Sequence, residues 1–410
     1  MNLKHTIAGI LALGLATGPA FGAAEVKTKG GFEIKDGDFS FKLGGRLMLD
    51  YSLPSEDVTA MGSNLFLRRA RLEMEGKLFK DWEYKVEYDF AENAVVAKDL
   101  YVTYTGFEGA EVLIGQYKQP FGLEELSSSK GIAFMERSLM NSAWGIGHRA
   151  GLGYRRYGDN YSATLSAWGK ESGSTNTGDQ DEPISYGARF VYAPIKSDDA
   201  LLHVGLAYAA EEVETGAGLR LRARPEARVS NGDVRLVDSS TIADATGSTK
   251  LGLEVAYMKG GFSVQGEYQI VDADSPLERD PSFTGYYLEA RWFPNGEVRP
   301  YKMSSGSFSA VKPLAIEGAW EFRARLSNVE LEDTCVVPAA FQPASCTTAP
   351  GTGPANPEAG SQDNVSVGVT FYPNANVRYM LEYVKADVDS LTTAQDESPS
   401  FIQARYQLSW

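Results

Sequence analysis

Between Gly218 and Ser230 the sequence reads GLRLRARPEARVS, and Arg220, Arg222, Arg224 and Arg228 recur at offsets of two, two and four. In an extended chain, rising about 3.4 Å per residue, the first three share one face and stand roughly 7 Å apart. At an effective dielectric near 20, unit charges at that spacing repel by about 2.4 kcal/mol, against about 0.6 kcal/mol in bulk water. Such a comb must be solvated, paired with carboxylates, or visited by anions. Glu226 can neutralise one neighbour. Guanidinium forks match phosphate oxygens through bidentate bonds, so a file of them would strip water from an oxyanion and hand it along. The same stretch also reads as a solvated outer loop, or as one that grips the phosphates of surface lipopolysaccharide.

Further cations are spread along the chain. Lys27, Lys29, Lys35, Lys42 and Arg46 lie near its start, Arg69 and Arg71 face away from Leu72 and Met74, and Lys130 sits in a long polar stretch at 118–148. Taken singly, each reads more simply as part of a solvated face than as a site. The whole chain argues in the opposite direction: Lys+Arg 39 against Asp+Glu 54 gives a net charge of -15 over 410 residues. That balance speaks against nucleic acid or an anionic membrane as a partner reached by overall charge.

The elements that must position these cations have period two. In FSFKLGGRLMLDYSL (39–53), Phe39, Phe41, Leu43, Leu47, Leu49, Tyr51 and Leu53 oppose Ser40, Lys42, Arg46 and Asp50. The alternation returns in WEYKVEYDF (82–90), LAIEGAWEFRARL (314–326) and VRYMLEYV (377–384), each with ionised groups opposite the apolar face. That pattern is a β-strand with one apolar and one wetted side. Sixteen such segments can be placed between residues 39 and 410, among them 313–327 and 363–372. Tight turns such as YGDN (157–160) and MKGG (258–261) alternate with long polar stretches at 54–63, 118–148, 171–183, 214–248, 328–362 and 389–399.

Short turns on one side and long loops on the other are the asymmetry of an outer-membrane β-barrel. One connection breaks the rule: 293–312 should be a short inner turn, yet it is long and carries Arg299, Lys302 and Lys312. A soluble β-sandwich would need two buried sheets with few charges per strand. The expected fold is therefore an all-β transmembrane antiparallel barrel of about sixteen strands. Tyr104, Tyr192, Tyr257, Trp292, Tyr372 and Trp410 fall near strand ends, where interfacial aromatic girdles sit.

The first residues, MNLKHTIAGILALGLATGPAFGAAEV, read as a secretory signal peptide over 1–24 with cleavage near 22–24, followed by a single barrel domain over 25–410. No later run is long and apolar enough for a spanning helix. Cys335 and Cys346 lie in the Pro-rich stretch at 328–362, where an oxidising exterior favours a loop disulfide. Enzyme readings fare poorly. Once His5 is removed with the signal, His148 and His203 remain, without metal-ligand spacing or a G-x-S-x-G context. No nucleotide-binding loop appears in a strand-to-helix setting, and no cofactor is implied.

The phrases VKTKGG, SFKLGGRL, RRARLEMEG, KDWEYKVEYDF, GQYKQPFGLEELSSSK, FMERS and EGAWEFRARLS, with the alternating terminal strand FIQARYQLSW, resemble the phosphate-selective porins of the O and P type over nearly the whole mature chain. The resemblance implies a homotrimer of sixteen-stranded barrels, with loops folded into each lumen to form a narrow anion channel. It further implies an arginine ladder, matched by Arg220, Arg222, Arg224 and Arg228, and barrel-wall arginines matched by Arg46 and Arg69. Lys130 matches the lysine at the constriction. Lys27, Lys29 and Lys42 match a cluster toward the periplasm, with Lys302 and Lys312 weaker matches. Three positions depart from the family's pattern: Glu83 stands where a basic residue follows the Trp of the DW pair, Arg71 where an aromatic residue is usual, and Trp410 where the chain usually ends in Phe.

The function expected is passive diffusion of phosphate or polyphosphate across the bacterial outer membrane, with small anions, outer-membrane lipid and lipopolysaccharide as partners. The alternatives are a general or weakly selective porin for small hydrophilic solutes, and a plugged surface-binding barrel.

Overall fold

The computed structural model describes residues 25–27, 31–55, 57–91, 94–174, 181–230, 234–275, 280–313, 317–331, 360–390 and 396–410. The signal segment, Lys29, Cys335 and Cys346 lie outside the described residues. Sixteen antiparallel strands form one closed barrel: β1 Phe39–Ser55, β2 Asn64–Leu78, β3 Trp82–Asp89, β4 Val96–Phe107, β5 Ala110–Lys118, β6 His148–Tyr157, β7 Tyr161–Trp168 and β8 Ser185–Lys196. The second half comprises β9 Ala200–Glu212, β10 Gly247–Lys259, β11 Phe262–Asp274, β12 Ser282–Trp292, β13 Ala319–Glu330, β14 Gly360–Tyr372, β15 Val377–Ser390 and β16 Ser400–Ser409. Each strand pairs with its sequence neighbour, and β16 closes on β1 from Ser400↔Ser55 to Ser409↔Arg46. Closure leaves these sixteen strands no edge across the hydrocarbon, which offers backbone groups no partner; at one rim the short strands Glu25–Lys27 and Phe32–Asp36 extend the sheet beside Phe39–Leu43.

The seam depends on a glycine. Trp410 and Gly45 exchange backbone hydrogen bonds of 3.1 and 3.2 Å, and a Cβ on Gly45 would meet the Trp410 ring at 2.4 Å. Along the strands the alternation selects two solvents. On β10, Leu251, Leu253, Val255 and Tyr257 are exposed on the outer wall while Lys250, Glu254 and Ala256 are buried toward the interior. Trp292, Phe322 and Trp320 stand on the outer face at the end of the barrel carrying the short turns, with Trp292 and Phe322 ring centroids 5.8 Å apart. Tyr372 does not join this girdle. Its side chain is buried and its hydroxyl donates to Glu321 at 2.6 Å, so it faces the interior.

Among the described residues, three connections enter the barrel. The 119–147 loop carries two short helices, α1 Leu123–Leu126 and α2 Leu139–Trp144. It crosses the lumen because wall side chains satisfy its backbone: Glu267 accepts from the amides of Leu123 and Glu124 at 3.0 and 2.7 Å, and Glu382 accepts from Met135 at 3.1 Å. Arg378 and Gln407 donate to the carbonyls of Ile132 and Lys130. The 213–246 loop lays Leu221, Ala223, Ala227 and Val229 into an apolar cluster with Met140, Trp144, Val271 and Phe401. The long 293–318 connection, anomalous for an inner turn, folds upward instead. Arg189 donates to its carbonyls at Ser305 (3.0 Å) and Gly306 (2.8 Å), and Met303 and Phe308 pack with Leu123, Val191 and Met258. Among the described residues β13 begins at Ala319, later than the expected 313.

Loops from opposite rims therefore meet inside the barrel. A Cβ on Gly131 would lie 2.8 Å from the backbone of Ala310, so the first loop and the inner connection touch main chain to main chain. Arg325 ties the two outer loops together, donating to Glu226 at 2.6 Å, to Glu124 at 3.2 Å and to the Glu136 carbonyl at 3.1 Å. Removing one member of such a buried group leaves uncompensated charge, at a cost of about 3–5 kcal/mol. Arg325→Met is expected to lower the denaturant midpoint and raise open-channel noise, and adding Glu226→Gln to recover part of both. Unchanged noise and stability in the single variant would show that Arg325 does not anchor the loops.

Candidate functional site

Between the 119–147 loop and the inner face of β1–β6 remains a cavity of about 350 Å³. Its lining includes the cations Arg46, Arg68, Arg69, Arg71, Lys85, Lys98, Lys118, Arg137 and Arg228, against the carboxylates Glu87, Asp99 and Glu125. Nine cations against three acids leave a surplus of six (9 − 3), without counting His148, in a chain whose net charge is negative.

Two β-bulges concentrate this charge. The β1/β2 register shifts between Met48 and Leu49, so that Met48 faces Arg69 and Leu49 faces Leu67. Arg68 is the extra residue, and the parity of β2 flips across it: Leu65 and Leu67 are exposed outside, and beyond the bulge Arg69 and Glu73 are buried inside. Arg68, Arg69 and Arg71 consequently all line the cavity. A second shift on β3/β4 between Val86 and Tyr88 sets Lys98 and Asp99 opposite Glu87, so two consecutive residues both face the water. A bulge bends the strand and re-aims side chains, which strict period-two reading cannot foresee.

Most of the cations are engaged. Arg46 donates to Ser129 Oγ at 2.6 Å, to Glu73 at 3.1 Å and to Glu87. Arg71 bonds Glu87 and Asp89, each at 2.7 Å, and Arg68 forks onto Glu136 at 2.5 and 2.9 Å. Burial opposes charge on Glu136, but Arg68 outweighs it and holds the carboxyl well below the usual range. Glu125 is similar: burial pushes its carboxyl up, while Arg137 and Lys118 bring it down to about 2. Lys85 lies 2.8 Å from Asp99, which also meets His148 at 3.3 Å. Arg69 differs. Its side chain is buried, its contact at 3.5 Å is the Met48 sulfur, and among the described residues it makes no ion pair. Lys98 likewise makes none among the described residues.

The sequence-predicted cations divide. Arg46 and Arg69 line the cavity, and from the comb Arg228 reaches it, 4.0 Å from Glu136. The comb keeps its alternation, with Arg222, Arg224 and Arg228 half-buried on the side away from the apolar cluster. Arg220 is clamped to Asp238 by bonds of 2.7 and 2.5 Å. Glu226 does not neutralise a comb neighbour: it is buried in a left-handed conformation (φ 58) and spent on Arg325 and Ser366. Lys130 does not line this cavity. Its ammonium bonds Glu73 at 3.1 Å, and burial, reinforced by nearby Arg46, pushes its pKa down. Lys42, 2.6 Å from Glu75, lines a second cavity of about 370 Å³ toward the inner rim with Lys77, Lys85 and Lys302. Lys27 pairs with Glu25 at 3.2 Å and is exposed.

Sequence reasoning did not single out Arg68, Lys85, Lys98, Lys118, Arg137 or His148. Lys85 was legible on the polar face of WEYKVEYDF; Arg68 and Lys98 depend on the bulges, and Arg137 on the path of the loop.

Asp99 offsets one of the cavity's cations through its 2.8 Å contact with Lys85. Asp99→Asn is expected to raise the chloride-to-potassium permeability ratio and Lys98→Met to lower it, read from reversal potentials across a salt gradient. Equal ratios in both variants and the parent would show that solutes do not pass this cavity.

The family model for phosphate-selective porin O and P matches residues 41–410. Porin O of Pseudomonas aeruginosa is 32% identical over 408 residues, covering 92% of this chain and 90% of that protein. Among solved structures, an anion-selective porin from Comamonas acidovorans aligns with a TM-score of 0.57 at 12% identity, covering 91% of this chain and 100% of the other. OmpT of Vibrio cholerae in its trimer form aligns at 0.54 with 10% identity, covering 91% and 99%. The chain thus belongs to the phosphate-selective porin O and P family and is a passive channel of the bacterial outer membrane.

Proposed function

We propose that the solute is phosphate or a short polyphosphate, and that Arg69 and Lys98 select it. The observation that carries this reading is a buried guanidinium and an ammonium, neither in an ion pair among the described residues, beside a cavity with a surplus of cations. At about 5 Å and an effective dielectric near 20, each such charge attracts a unit anion by about 3 kcal/mol. Paired cations such as Arg46 and Arg71 give less, because their carboxylates offset them. Arg222, Arg224 and Arg228 gather the anion from the outer side, Arg68, Arg69, Arg71 and Lys98 hold it, and Lys85, Lys118 and Lys42 receive it on the inner side. The adjacent acids Asp99, Glu125 and Glu75 keep each stop shallow, as conduction requires. Lys130 acts beside the selecting pair, its charge shared with Glu73. Catalysis has no part in this reading.

A hydrogen bond to a charged group contributes about 1.5–3 kcal/mol, so losing one weakens binding roughly 10- to 100-fold. In planar bilayers Arg69→Met is expected to weaken phosphate block of chloride current by that factor, and Lys130→Ala by much less. Phosphate block unchanged in Arg69→Met would refute the assignment, and a larger loss in Lys130→Ala would return selection to Lys130.

We further infer a homotrimer embedded in outer-membrane lipid, with lipopolysaccharide against the outer loops; the trimer form of OmpT, which shares the fold, supports the assembly. Light scattering on detergent-corrected particles is expected to give three chains per particle, and one chain would exclude the trimer.

A further inference from the structure

Beside the proposed anion path, against β4–β8, lies a recess of about 240 Å³ roofed by the start of the 119–147 loop and floored by the inward 293–318 connection. Its chemistry differs from that of the selecting cavity. Leu126 is the one aliphatic side chain in the lining of the cavity above, whereas the recess adds Leu113, Pro120 and the rings of Tyr101 and Tyr117. The two rings meet edge to face, with centroids 5.9 Å apart, and Tyr117 is fixed by a 2.8 Å hydrogen bond to Ser166. A recess serving inorganic anions alone has no use for an apolar wall, because a fully hydrated phosphate gains nothing there.

Cations stand at the mouth and on the far wall. Lys85 and Lys118 are shared with the selecting cavity, and Arg155 faces them from β6. Arg155 meets Glu111 through Nη1 at 3.0 Å, but its Nε is buried without a hydrogen-bond partner. The volume equals that of about eight waters, room for one six-membered ring and a compact head group.

From these features we infer that the recess is a second anion site, accepting a phosphate monoester that carries a single aromatic ring. The ring lies against Leu113, Pro120 and Tyr117, and the phosphate takes hydrogen bonds from Arg155 and the lysines at the mouth. The inference rests on the anion path proposed above, since the ester reaches the recess through it. It adds a class of solute held by apolar contact as well as by charge.

Single-channel recording with inorganic phosphate, methyl phosphate and phenyl phosphate separates the two sites. In the parent protein phenyl phosphate is expected to dwell about tenfold longer than methyl phosphate, a difference of the size that burying part of a ring supplies. Leu113→Asn, which wets the wall, and Thr164→Phe, which fills the recess from β7, are each expected to bring the phenyl dwell time down to the methyl value. Block by inorganic phosphate stays as in the parent in both. Equal dwell times in the parent, or a ring preference that survives both substitutions, overturns the recess as a site. If inorganic phosphate fails to block the parent channel, the selecting role of Arg69 and Lys98 falls, while the phenyl-to-methyl comparison still decides the recess.

Discussion

Arg325 stands on β13 between Glu124 of one inserted loop and Glu226 of the other, and a third bond reaches the Glu136 carbonyl. Pairing of this kind governs the whole lumen. Arg291 bonds Glu321 and the Gly131 carbonyl, Arg405 forks onto Asp50 at 2.7 and 2.6 Å, and Arg323 meets Glu382 at 3.2 Å. A charge enclosed in a narrow barrel needs a partner or must leave its site open to a mobile ion. Where the partner is a loop carboxylate or carbonyl, the arginine builds the constriction. Where the described residues supply no ion-pair partner, as at Arg69, the cation lines the cavity instead.

This division explains how an acidic chain encloses a cation-rich cavity. Carboxylates outnumber cations overall, yet many inward carboxylates are consumed in fixing loops: Glu267 and Glu382 hold backbone amides, and Glu254 holds Arg189 together with His203. The surplus of cations gathers against β1–β6, beside the 119–147 loop. The charge of the cavity is therefore set by which groups are left over after the structure has been held together. Net charge describes the particle as a whole and not its narrowest water.

The barrel itself was legible. Sixteen alternating segments appear as sixteen strands, and the tight turns fall where YGDN and MKGG stand. Even the misfit connection at 293–312 was visible as a misfit, although its inward fold was not. The candidate site was legible only in part. Arg46 and Arg69 were named and line the cavity, whereas the comb turned out to be held mainly as a loop wall, with Arg220 given to Asp238 and Glu226 carried away to Arg325. Tyr372, expected in the girdle, faces inward because its strand parity places it beside Glu321.

The sequence by itself determined the class of object: a period of two sustained over sixteen segments admits a lipid face and a water face, and only a closed sheet satisfies its backbone between them. Tertiary structure decided which cations line the cavity. Two single-residue bulges turn Arg68, Arg69 and Arg71, and then Lys98 and Asp99, toward the same water. Loops far in sequence from the strands they touch choose which carboxylates neutralise which arginines, as Arg325 does across 201 positions to Glu124. Pairing of charges depends on distance in space, which alternation along one strand does not encode.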